Sequence, residues 1–79
     1  MFIYRLSQTD NIGYDTYDSI VVIAASTDDA REILPSPYCA WGERYSSWAN
    51  SPDSVEVELI GVALHDSKPG LVLISFNAG

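Results

Sequence analysis

Two segments of this chain are apolar at almost every position, and they constrain the fold more than any other feature. Residues 19–25 read Ser-Ile-Val-Val-Ile-Ala-Ala, and residues 71–76 read Leu-Val-Leu-Ile-Ser-Phe. Side chains of a strand alternate between two faces, so consecutive apolar and β-branched residues are typical of strands that are covered on both sides. The sheet that contains these segments therefore needs cover on both of its faces.

Two further strands are predicted from alternating patterns. In residues 2–7, Phe2, Tyr4 and Leu6 share one face, and the residues between them share the other. In residues 54–64 the apolar set shifts by one position beside Gly61. Such a shift predicts a β-bulge at this glycine.

One short helix is predicted between the central strands. Ser26 stands three residues before Asp29, which is the arrangement of a capping box. The helix should cover residues 27–34 and end at Pro35, which cannot continue it. Residues 35–53, rich in proline, are expected to form a loop with one or two helical turns. The helix residues expected to face the sheet are Ala30, Ile33 and Leu34.

These elements predict a single domain over residues 1–79, of the α+β class. We expect a small, mostly antiparallel four-stranded sheet in the order β-β-α-β-β, with one main helix packed on one face. A single helix leaves the second face without cover. Either the tryptophan-bearing segment folds over that face or a second copy of the chain does, and a homo-oligomer is the expectation.

The charge balance limits the classes of partner. Eleven acidic residues oppose four basic ones, for a formal net charge of −7. Phosphate backbones and anionic membranes are bound by clustered Lys and Arg, so neither nucleic acid nor a membrane is an expected direct partner. A basic protein partner or a shape that imitates nucleic acid fits the charge. The acidity is equally consistent with keeping a small protein soluble.

Cysteine and histidine are too scarce for a disulfide or a typical zinc site. Cys39 is the one cysteine and His65 the one histidine, so no internal disulfide and no Cys/His zinc site is expected. The first apolar run lacks the basic start and the length of a secretory signal, and no run approaches a membrane span of about 20 residues. A cytoplasmic location, without metal or cofactor, is predicted.

The first candidate site is the connection over residues 8–19, which is longer than the few residues that a hairpin needs. Its spacing does not match a calcium-binding EF-hand loop, so a metal site is the weakest reading. An ordered turn, with Asn11 and Gly13 at the bend and tyrosines against the sheet edge, is a second reading. A recognition surface is the third, since tyrosine is enriched at interfaces. The candidate binding residues are Asp10, Asn11, Tyr14, Asp15, Tyr17 and Asp18.

The second candidate site combines two tryptophans with an arginine. Trp41, Arg44 and Trp48 could stack on a planar ligand and pair with its phosphate or carboxylate, as a nucleotide would require. The alternative is that both indoles plug the uncovered face of the sheet. In an oligomer, the same residues could line a pocket between subunits.

The third candidate site is a pair of glutamates. Glu56 and Glu58 share one strand face, about 6.6–7 Å apart by strand rise. This separation is close to that of successive phosphates, so it permits mimicry of nucleic acid. Two carboxylates on the exposed side of an antiparallel strand are also ordinary.

No residue pattern supports catalysis, and the chain is expected not to be an enzyme. His65 beside Asp66 could orient an imidazole, but the Gly-x-Ser-x-Gly context of a nucleophilic serine is absent. Cys39 has no basic neighbour to activate it. The glycines are scattered, so a glycine-rich phosphate loop is also absent.

The whole pattern resembles small proteins encoded by tailed phages and prophages. The resemblance rests on Ile-Tyr-Arg-Leu-Ser-Gln-x-Asp-Asn-x-Gly-Tyr-Asp-Thr-Tyr-Asp-Ser, the Val-Val-x-Ala-Ala strand, the Asp-Asp-Ala-Arg-Glu-Ile helix, Trp48-Ala49, Val-Glu-Val-x-Leu-Ile-Gly and the closing Ser-Phe-Asn-Ala-Gly. That group has no assigned activity, so no catalytic residue is carried over.

The resemblance implies a viral origin and a place in the cytoplasm of an infected bacterium. Small viral accessory proteins often inhibit host defences or redirect host enzymes. The leading hypothesis is therefore a non-enzymatic accessory protein that binds and inhibits a host defence or nucleic-acid enzyme through an acidic and aromatic surface. The alternative is an oligomer that sequesters a nucleotide-like signal between its subunits.

Overall fold

A computed structural model describes residues 1–42 and 47–77, and its main feature is a four-stranded antiparallel sheet. The sheet order is β3-β1-β2-β4, so β1 and β2 are central and β3 and β4 form the edges. A sheet of this kind with one short helix agrees with the predicted α+β class. The elements are β1 (Phe2–Ser7), β2 (Thr16–Ala24), α1 (Thr27–Arg31), a 3₁₀ turn (Pro52–Ser54), β3 (Glu56–Val62) and β4 (Gly70–Asn77).

The strand boundaries follow the apolar patterns closely, with one extension. β1 covers the predicted residues 2–7. β2 begins at Thr16 rather than at residue 19, because Tyr17 pairs with Phe76 of β4 across an irregularity at Asp18. The polar residues at this end of β2 hid the extension from the sequence pattern.

The predicted β-bulge is present in β3. Tyr4 of β1 stands opposite Leu59, whereas Ile3 stands opposite Gly61, so Ile60 is the extra residue. A bulge shifts the alternation by one position, which accounts for the change of apolar pattern seen in the sequence.

The helix has the predicted start and an earlier end. The Ser26 hydroxyl accepts a hydrogen bond from the Asp29 amide at 3.1 Å, as a helix cap does. The helix ends at Arg31 instead of residue 34, and the chain continues through a turn toward Pro35. The side chains of Ile33 and Leu34 still pack against the core, so the shorter helix loses no core contact.

The core lies on one face of the sheet. The buried apolar residues of β1 and β2 occupy alternate positions, so they point to the same side, which we name the core face. The helix and the segment after residue 47 contribute the rest of the buried cluster. Its members are Tyr4, Leu6, Ile20, Val22, Ala24, Ala30, Trp48, Ala49 and Val55.

The opposite side of the sheet, which we name the open face, has no buried apolar residue within the part of the chain that the structure describes. Val21 and Ile23 of β2 point to this side and are only half-buried, although Val22 between them is fully buried. Trp48 belongs to the core face, so its indole does not cover the open face. The sequence left two candidates for covering the open face, namely the tryptophan-bearing segment and a second copy of the chain. Trp48 is buried on the core face instead.

Two adjacent valines of β2 test this one-sided burial. Val22→Ala should lower the free energy of unfolding by about 2 kcal/mol, because it removes buried methyl groups and leaves a cavity. Val21→Ala makes the same chemical change on the open face and should cost less than about 1 kcal/mol. Urea denaturation followed by circular dichroism measures both. Equal losses at the two positions would contradict the one-sided core.

Candidate binding surface

The long connection between β1 and β2 is built around a buried glutamine. Gln8 continues the alternation of β1 onto the core face and is 3% exposed. Its Nε2 donates to the carbonyl oxygens of Asn11 and Tyr17, both at 2.7 Å, and its Oε1 accepts from the Asn11 amide at 2.9 Å. The glutamine thus satisfies the backbone that the sheet leaves unpaired at the turn. Sequence analysis passed over Gln8, whose position in line with Leu6 was the available signal.

Asn11 and Asp10 fasten this connection to the segment that carries Trp48. Asn11 Nδ2 donates to the Trp48 carbonyl oxygen at 2.5 Å and to the Asn50 side-chain oxygen at 3.1 Å. Asp10 Oδ2 accepts from the Asn50 amide at 3.0 Å, and the Tyr17 amide donates to the Ser47 carbonyl oxygen at 2.8 Å. The polar groups of Asp10 and Asn11 therefore serve an internal structural role.

The tip of the connection is ordered by its backbone but exposes its side chains. Gly13 adopts a φ of 111° and Asp15 a φ of 60°, values in the left-handed region. The Gly13 carbonyl oxygen accepts from Thr16 Oγ1 at 2.8 Å and from Asn77 Nδ2 at 2.6 Å. Tyr14 is nevertheless 79% exposed. Tyr14 and Asp15 are thus the predicted residues of this loop that are free to contact another molecule.

Tyr17 and Asp18 lie near the start of β2 and belong to the sheet. The Tyr17 ring lies 4.7 Å from the Phe76 ring, centre to centre, and packs against the core. A hydrogen bond from the Ser75 hydroxyl lowers the pKa of the Asp18 carboxyl below its ordinary value of 3.8, against a smaller opposing effect of desolvation. Asp18 is therefore a fixed negative charge at this end of the sheet.

The tryptophans do not form an exposed pair. Trp48 is completely buried, and Trp41 is half-buried against the same core cluster. Arg44 lies outside the described residues. Cys39 Sγ lies 3.0 Å from Ser47 Oγ, and both residues are half-buried. The nucleotide pocket between subunits stays a prediction, and the buried indole of Trp48 gives it no support.

The open face is graded from an apolar end to an acidic end. Directly opposed residues of an antiparallel sheet point to the same side, so the strand registers define rows of side chains across it. The row nearest the start of β1 is apolar, the next is mixed, and the row at the end of β1 is polar. In the order β3, β1, β2, β4, the rows are Gly61, Ile3, Ile23 and Gly70, then Glu58, Arg5, Val21 and Leu73, then Glu56, Ser7, Ser19 and Ser75.

The acidic end of the open face adjoins the tip of the long connection. That connection leaves β1 after Ser7 and enters β2 at Thr16, at the end of the sheet where Glu56 lies. Glu56 and Glu58 are both exposed, and Asp18 stands beside Ser19 of the polar row. The topology therefore places several of the predicted binding residues toward the same end of the sheet, namely Tyr14, Asp15, Asp18, Glu56 and Glu58.

The predicted pair of His65 and Asp66 lies at the surface of the part of the chain that the structure describes. His65 Nδ1 lies 2.9 Å from Asp66 Oδ1, but both side chains project into solvent, being 97% and 96% exposed. The described residues hold no cluster of three or more His, Cys, Asp or Glu side chains placed to bind a metal ion. None of the described helices has the length and apolar character that crossing a membrane would require.

Comparison with protein-family models, curated proteins and solved structures finds no match to this chain. The resemblance to phage and prophage proteins consequently stays a prediction.

The link between Asn11 and the Trp48 backbone is testable by fluorescence. In a Trp41→Phe background, Asn11→Ala should increase quenching of the remaining tryptophan by acrylamide, because the segment over Trp48 loses its side-chain anchor. Tyr14→Ala, a change at an exposed position of the same loop, is the control and should leave quenching unchanged. A Trp48 that stays equally protected in both variants would show that Asn11 does not hold the segment.

Proposed function

We propose that this protein acts by binding another protein through the open face of its sheet, without catalysing a reaction. In this proposal the helix of the β-β-α-β-β chain covers the core face and leaves the other side for the partner. The observation that carries the proposal is the graded open face, whose apolar side chains Ile3, Val21 and Ile23 are only half-buried among the described residues. Uncovered apolar surface beside polar surface is typical of interaction sites.

The apolar end of the open face supplies the binding free energy in this proposal. Ile3 and Ile23 stand side by side, and glycines occupy the edge positions on both sides of them. The two isoleucine side chains therefore form a short ridge, because the glycines on either side of them have no side chain. A ridge of this shape fits an apolar groove of a partner, and burying it removes branched side chains from water.

The acidic end selects the kind of partner. Glu56 and Asp18 add local negative charge to a chain whose formal net charge is −7, while Glu58 stands opposite Arg5. A partner with Lys and Arg residues beside its apolar groove complements this end, and long-range attraction accelerates its association. The exposed Tyr14 ring adds contact area of a type enriched at interfaces.

Proteins that bind nucleic acid carry surfaces rich in Lys and Arg, like the surface expected of this partner. The specific form of the proposal is therefore a phage-type accessory protein that inhibits a host defence or nucleic-acid enzyme in the bacterial cytoplasm. The charge balance and the resemblance to phage and prophage proteins support this form. The nucleotide-binding alternative has no comparable observation in its favour.

A photo-cross-linking amino acid at position 21 tests the contact surface directly. In a bacterial lysate at low salt, the probe at Val21 should cross-link a basic protein, and added salt should reduce the yield. A probe at Tyr38, which is 93% exposed in the segment after the helix, is the matched control. Absence of a product specific to position 21 would count against the proposal.

The binding constant of the purified partner gives the quantitative arm of the test. Val21→Lys should raise its Kd at least about tenfold, because a charge then replaces an apolar contact at the centre of the interface. Tyr38→Lys adds the same charge elsewhere and should leave the Kd unchanged. If the two variants bind equally well, the open face is not the contact surface.

A further inference from the structure

The two edge strands of the sheet differ in how they are protected from pairing with another strand. β3 carries Glu56 and Glu58 and is interrupted by the bulge at Ile60, features that discourage pairing at an edge. β4 contains no charged residue and no proline over Gly70–Asn77. Only one edge of this sheet is therefore open to an additional strand.

The apolar side chains of β4 are exposed on both faces of the sheet. Leu73 on the open face is 66% exposed, and Ile74 and Phe76 on the core face are 44% and 45% exposed. Val72 is the extra residue of an irregularity, so regular strand geometry extends from Leu73 to Asn77. A strand of five residues is long enough to pair.

We propose that β4 pairs with β4 of a second copy of this chain, in antiparallel orientation, so that two sheets join into one. Antiparallel pairing of a strand with its own copy obeys a twofold axis, and the interface is then closed. With the axis near Ser75, Ile74 of each copy faces Phe76 of the other. Such pairs of a β-branched and an aromatic residue stabilise neighbouring strands, and the symmetry supplies the pair twice.

The distribution of charge at this edge favours a second copy over a basic partner. It also favours antiparallel over parallel pairing of the two copies. Two chains with a net charge of −7 repel each other, but β4 itself presents a neutral strip. Lys68 precedes β4, whereas Asp15 and Asp18 lie beside its other end. Antiparallel pairing turns Lys68 of each copy toward the acidic end of its partner, and parallel pairing would bring the two lysines together.

The surface area is in keeping with this pairing. The chain exposes 5157 Å², whereas a folded monomer of its mass is expected to expose about 4,700 Å². The excess of roughly 400 Å² per copy, or about 800 Å² for a pair, lies below the about 1,200 Å² at which standard specific interfaces begin. The dimer should therefore be weak and should form only at high protein concentration.

Sedimentation equilibrium of the whole chain over a wide concentration series tests the dimer. The mass should rise toward twice the 8.7 kDa of one chain. Leu73→Lys should weaken the dimer at least about tenfold, since it places a charge at the interface. Leu59→Lys makes the same change on the other edge strand, at a position that is 58% exposed, and should leave the dimer intact.

Hydrogen exchange locates the interface independently of these variants. As the concentration rises, β4 amides should become protected while the amides of β3 stay unchanged. A monomer at every concentration would overturn the proposal, and so would a dimer that both variants weaken equally or that protects β3. Val21→Lys should still dimerise, so failure of the partner-binding proposal and failure of the dimer are separate outcomes.

Discussion

The main constraint on this structure is that few residues outside the four-stranded sheet are available to cover its two faces. Four strands present two broad faces, and the described residues supply one five-residue helix and the segment around Trp48 to cover them. Ala30 of the helix and Trp48 belong to one small buried cluster with residues of β1 and β2. A small domain buries a modest fraction of its surface, and the buried residues of this sheet lie on the two central strands, since Ile74 and Phe76 of β4 are 44% and 45% exposed on the core face. The open face and the exposed edge strand β4 follow from that shortage.

The cover over the core face depends in turn on polar contacts between residues that are far apart in the sequence. Trp48 is the largest buried side chain, and its segment is fastened to the sheet through Asn11, Asp10 and the Tyr17 amide. Gln8 shapes the loop that presents these groups. The loop thus combines two functions: its base completes the fold, and its tip exposes Tyr14 beside the acidic end of the open face. This arrangement explains why a connection between neighbouring strands is longer than a simple hairpin turn.

The sequence predicted local structure well because local structure depends on patterns of a few residues. Alternation placed β1, the capping box placed the start of the helix, and the shift beside Gly61 placed the bulge. The hydrogen bond between Asn11 and Trp48 joins residues 37 positions apart, and no short-range pattern encodes it. Residues 19–25 and 71–76 were expected to be covered on both faces, whereas β2 is buried on one face only and β4 is an exposed edge strand. Alternation alone also does not say which face Trp48 occupies. For the same reason the role of Gln8 was missed, and so was the hydrogen bond that Asp10 accepts from the Asn50 amide.

Solvent accessibility of methyl groups along β2 tests the central claim most directly. In a solution NMR experiment with a soluble paramagnetic agent, the methyl signals of Val21 and Ile23 should relax strongly, while those of Ile20 and Val22 should be protected. This alternation requires one covered face and one face open to solvent in the unbound protein. Uniform protection of all four residues would contradict the account, because it would show that both faces are already covered.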